Sequence, residues 1–102
     1  MFKVDRIIID NKKFFTYEIH LPKSKLLIIA NDSGYITNRK SDVALFDSTP
    51  HLRERHVACA GTSTDVTSIS EMLDSKIVRI TEESIERGMY PGMLVIDALK
   101  EL

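Results

Sequence analysis

A chain of 102 residues, 43% apolar and 28% charged, holds enough material for one hydrophobic core and too little for two, so a single domain over residues 1–102 is expected. Its 14 Lys and Arg stand against 15 Asp and Glu, and the basic pairs Lys12-Lys13 and Arg39-Lys40 are dispersed among acids, which argues against nucleic acid as a partner. The single cysteine excludes an intrachain disulfide, Lys3, Asp5 and Arg6 break up the first apolar stretch, and no run is long enough to span a bilayer, so a soluble cytoplasmic chain without a membrane partner is expected.

The first half reads as strands. Residues 3–9 are rich in β-branched side chains, and Asp10-Asn11-Lys12-Lys13 supplies a turn. Phe15, Tyr17, Ile19 and Leu21 then alternate with Thr16, Glu18 and His20, the period of a strand with two unlike faces. After Pro22-Lys23-Ser24, residues 26–30 (Leu-Leu-Ile-Ile-Ala) are apolar on both sides, which predicts a strand covered on both faces. Asn31-Asp32-Ser33-Gly34 turns the chain into a short strand at residues 35–37.

The second half changes period. Ser41 is placed to cap a helix from Asp42, with Val43, Ala44, Leu45 and Phe46 as its apolar side and Pro50 as its break. Thr49 caps a further short turn through Arg55, and a small buried strand follows at residues 57–60. Ser68 and Glu71 have the spacing of a reciprocal cap over a helix at residues 69–73. Residues 76–80 alternate as a strand, Thr81 caps a helix closed by Gly88, and Tyr90-Pro91-Gly92-Met93 fits a type II turn. The last helix sets Val95, Leu99 and Leu102 on one stripe.

Strands first and helices later predict an α+β fold of two layers, a largely antiparallel N-terminal sheet with short C-terminal helices packed on one face. Helices on one face would leave Phe14, Ile7-Ile8-Ile9 and residues 26–30 with apolar area on the other. Single subunits seldom expose such patches, so a homo-oligomer, dimer or tetramer, is expected.

The segments Leu21-Pro22-Lys23, Ala30-Asn31-Asp32-Ser33-Gly34-Tyr35-Ile36, Asp42-Val43-Ala44-Leu45, Ser68-Ile69-Ser70-Glu71-Met72-Leu73 and Gly88-Met89-Tyr90-Pro91-Gly92-Met93, followed by Ala98-Leu99, resemble the YunC-like proteins, a bacterial and archaeal family of domains of unknown function. The resemblance runs from about residue 20 to the carboxyl terminus. It implies a small oligomer whose N-terminal β region contributes to tetramer formation, and it implies no reaction. Members of the family commonly carry a Cys-Gly pair shortly after the Gly-Tyr-Ile segment, where this chain has Asn38-Arg39, so no thiol role carries over to that position.

Asn31, Asp32, Ser33 and Gly34 are the candidate ligand-binding residues, because a polar loop on a rigid strand pair is a usual place for such groups. Turn chemistry alone accounts for the same four residues. Gly61-Thr62-Ser63-Thr64-Asp65 lacks the Gly-Lys-Ser/Thr ending of a phosphate loop and reads as capping residues. Cys59 between two alanines reads as packing, and His56, three residues away on a strand, would point to the opposite face. His20, His51 and His56 lack ligand spacing, so neither a metal nor a cofactor is expected. Two functions remain open: a homo-oligomeric binding or scaffold protein that takes an unidentified small molecule at most, or a small hydrolase or transferase whose catalytic residues are undefined, with a site near residues 31–34 at a subunit junction.

Overall fold

The computed structural model describes residues 2–39, 43, 45, 48–49, 57–63 and 65–102. Six strands form one sheet in chain order: β1 (Phe2–Ile9), β2 (Lys12–Leu21), β3 (Ser24–Ala30), β4 (Gly34–Thr37), β5 (Ala58–Gly61) and β6 (Arg79–Ile80). Neighbours are antiparallel except β4 and β5, which run parallel and therefore need a crossover rather than a hairpin. Among the described residues, three short helices belong to the C-terminal half: α1 (Ile69–Leu73), α2 (Glu82–Glu86) and α3 (Val95–Leu99). The α+β, two-layer expectation holds.

Tight turns make the N-terminal meander. Asp10 and Asn11 both take positive φ, 53° and 65°, the conformation whose twist matches a two-residue hairpin. Pro22 and Lys23 join β2 to β3, with Lys23 at φ 66° following the fixed angle of proline. The register then sorts side chains. Phe14, Leu27, Ile29, Ile36, Ala58 and Ala60 lie on one face and are buried beneath Met72, Val95 and Leu99 of the helical layer.

Three expectations are corrected here. Phe14, expected on the bare face, is fully buried in the core, and its neighbour Phe15 is the exposed one, because the pleat alternates. Strand β3 is covered on one face only: Leu27 and Ile29 are buried, while Leu26, Ile28 and Ala30 are half-buried. The strand expected over residues 76–80 is reduced to Arg79–Ile80. Its first part is held elsewhere, since the Ile77 amide donates to the Met93 carbonyl (2.8 Å) and its carbonyl accepts from Gly92 (2.7 Å). Only from Val78, whose amide donates to the Gly61 carbonyl, does the chain join β5.

Caps fix the helices. The Ser68 hydroxyl accepts from the Glu71 amide, but the Glu71 carboxylate accepts from Thr67 Oγ1 (3.1 Å), so the reciprocal cap is only half made. Thr81 Oγ1 accepts from the amides of Ser84 and of Cys59, and Ser84 Oγ donates to the Cys59 carbonyl, which stitches the start of α2 to β5. Gly88 closes α2 at φ 97°, and Gly92 takes 96° in the expected type II turn. Val43, Leu45 and Ser48 are helical, as the reading from Asp42 requires; Ser41, Asp42, Pro50 and the turn through Arg55 lie outside the described residues.

Asn38 extends the sheet beyond β4. It is buried, its Oδ1 accepts from the Leu27 amide (3.0 Å), and its Nδ2 donates to the carbonyls of Lys25 (2.9 Å) and Val66 (3.3 Å). One amide side chain thereby ties β3 to the segment that leads into α1. Asn38→Ala orphans the buried Leu27 amide and the Val66 carbonyl, and urea unfolding should show a loss of about 1–3 kcal/mol.

Candidate functional site

The residues from Asn31 to Gly34 join β3 to β4. The Asn31 amide donates to the Gly34 carbonyl (3.0 Å), and its Oδ1 accepts from the amides of Ser33 (2.9 Å) and Gly34 (3.1 Å). That is an Asx turn, in which a short side chain replaces a missing backbone acceptor. Ser33 presents its carbonyl to the Ala58 amide (3.2 Å) and so anchors β5. Asp32 is exposed and makes no ion pair among the described residues.

Gly34 has another reason to be glycine than the positive φ a turn would ask for. It is absent from the positive-φ residues and begins β4, with Ala58 of the parallel strand directly beside it. A Cβ at residue 34 would overlap the Ala58 carbonyl oxygen and lie 2.9 Å from its carbonyl carbon and its Cβ. Close strand approach, a constraint invisible in a single chain segment, selects the residue.

The other candidates are dispersed. His20 is exposed and pairs with Lys25 at the opposite end of β3 from the 31–34 turn. His51 and His56 lie outside the described residues. Thr62 Oγ1 donates to the Ser63 carbonyl, and Ser63 Oγ accepts from the Asp65 amide, so these two hydroxyls serve local bonds. Cys59 is fully buried, as a packing residue should be. It shares a face with Tyr35, on the side of the sheet away from the main core.

Two surface features remain, the first expected from the sequence as a bare apolar face and the second not read from it. The first is the outer face of β1–β3, where Phe2, Val4, Ile8, Phe15 and Leu21 are 38–67% exposed and flank half-buried Tyr17, Ile19 and Ile28. The second is an open pocket of ≈ 820 Å³ at the β6 edge. Val43, Ile80, Ile85 and Met89 supply apolar walls, and Arg79, Ser48 and Tyr90 bring polar groups to it. Its lining comes from segments up to about half the chain apart, so no local spacing announces it.

Comparisons agree with this architecture. The family model for the domain of unknown function DUF1805 matches residues 41–102. An uncharacterized protein, YunC, of Bacillus subtilis (strain 168) is 31% identical over 102 residues, covering 100% of this chain and 98% of that protein. A crystal structure of a protein of unknown function from Thermoplasma acidophilum superposes with a TM-score of 0.86 at 20% identity, over 100% of this chain and 93% of that one.

The turn and the strand approach separate cleanly by mutation. Asp32→Asn should leave the melting temperature unchanged, since the turn uses Asn31 rather than the Asp32 carboxylate. Gly34→Ala should cost about 1–3 kcal/mol in urea unfolding by overpacking against Ala58.

Proposed function

We propose that this chain, which belongs to the DUF1805 family, works as a homo-oligomeric binding or scaffold domain that assembles through the outer face of its N-terminal sheet. The observation that carries the reading is one-sided coverage. The helical layer buries the inner face, and the outer face of β1–β3 keeps large apolar side chains in water, Ile8 at 67% and Phe2 at 60% exposure among them.

A second copy is the occupant this face fits. Strands spaced ~4.8 Å apart and rising ~3.3 Å per residue give the three strands β1–β3, of about eight residues each, a planar extent of about 380 Å², before side-chain relief is added. A stable interface takes roughly 800 Å² per partner, about twice that plane, so side-chain relief and residues flanking the three strands supply the remainder. Two such sheets pack face to face at ~10 Å with their strands nearly aligned, a match of shape that a twisted sheet offers most directly to itself. A formal net charge of −1 sets up little repulsion between copies. Arg6 and Lys13 are the cations on this face among the described residues, Lys13 beside the β1–β2 turn and Arg6 between Val4 and Ile8.

A small enzyme with a site at a subunit junction is the second reading. It is favoured by one placement: Ala30 and Tyr35, which flank the 31–34 turn, pair with each other on the outer face. Assembly through that face would set Asn31, Asp32 and Ser33 at the margin of the junction, where a hydrolase or transferase site could include them.

Light scattering across micromolar concentrations should return a multiple of the 11.6 kDa chain mass. Phe15→Asp should shift it to the monomer with the circular dichroism melt largely kept, whereas Phe14→Asp, which buries a charge in the core, should abolish folding. A monomeric wild type at all concentrations would overturn the proposal.

A further inference from the structure

We infer that the pocket at the β6 edge is a binding site for a small amphipathic carboxylate, its apolar tail between β6 and α2 and its carboxylate on Arg79. The walls set the tail. Val43, Val78, Ile80, Ile85 and Met89 are aliphatic or thioether side chains, and Pro91 adds a further apolar surface. An open pocket of ≈ 820 Å³ lies within the range that takes small organic ligands.

Arg79 sets the head group. It lines the pocket from the edge strand, is exposed, and pairs with no carboxylate among the described residues. A guanidinium presents two parallel N–H donors that match one carboxylate, a geometry no other side chain offers. Ser48 Oγ, which donates to the Leu45 carbonyl (3.4 Å), and the phenol of Tyr90 are the other polar groups in reach. No Asp or Glu lines the pocket among the described residues, which disfavours an amine. One guanidinium balances the charge of a monoanion, whereas a phosphate dianion would leave a second negative charge with no cation in the described lining. A monoanion on an aliphatic or aromatic tail satisfies both halves of the lining.

Isothermal titration of the full chain with sodium octanoate, with octylamine and octanol as head-group controls, tests this directly. Octanoate should bind with saturation and shift the methyl resonances of Ile85 and Met89, and octylamine should not. Arg79→Gln should weaken octanoate by about tenfold or more while leaving octanol as it was. Since Arg79 is exposed, its melting temperature should hold; if it falls, Arg79→Lys decides, and it must still prefer octanoate to octylamine. Absence of octanoate binding at about 10 mM, equal binding by Arg79→Gln or by octylamine, or methyl shifts confined to Ile8 and Ile28 of the outer sheet face would each overturn the inference. The last result would place the fatty chain on the association face, so failure here is distinct from failure of the assembly reading.

Discussion

The parallel seam between β4 and β5 depends on a hydrogen atom where any other residue has a carbon. Gly34 lies so close to the Ala58 carbonyl that a Cβ cannot be placed there without moving one strand. With that approach secured, Ser33 receives the Ala58 amide, Thr37 receives the Thr62 amide, and β5 enters the sheet beside β4. Everything after β5 follows from where this seam lets the chain re-enter. Strand β6, the stitched start of α2 and the segment leading to α1 are all attached to β5 or to the residues just beyond it.

That attachment is one-sided. Asn38 ties Val66 to β3 across the inner face, Lys12 Nζ donates to the Lys100 carbonyl just beyond α3, and Lys25 Nζ donates to the Thr67 carbonyl just before α1. A cation at a helix C-terminus also meets the negative end of the helix dipole. These links hold α1 and α3 over Phe14, Leu27 and Ile29. The outer face of β1–β3 receives no comparable cover among the described residues, and its aromatic and aliphatic side chains are left exposed.

Periodicity made most of the frame legible. Alternation in β2, the turn residues at Asp10-Asn11 and Asn31–Gly34, the Ser68 and Thr81 caps and the Gly88 and Gly92 turns were each readable because a local rule fixes them. What failed was set by distant partners. Phe14 and Phe15 are adjacent aromatics, and only the register with Ile7 and Ala30 decides which of them faces the helices. Residues 76–77 have a strand's composition, but their backbone groups pair with residues 92–94 instead of β5. The 31–34 residues were legible as a turn, whereas the reason for Gly34 and the pocket beside Arg79 arise from segments far apart in the chain.

The central claim is that the outer sheet face is covered by a second copy. Isoleucine methyl resonances in the presence of a soluble paramagnetic agent, recorded across protein concentration, address it residue by residue. Ile8, Ile19 and Ile28 lie on the outer face, and Ile29, Ile36 and Ile77 are buried on the helical side. The account predicts that relaxation of the first three falls to the level of the buried set as concentration rises. If Ile8, 67% exposed in the single chain, stays fully accessible at every concentration, the face is not an association surface.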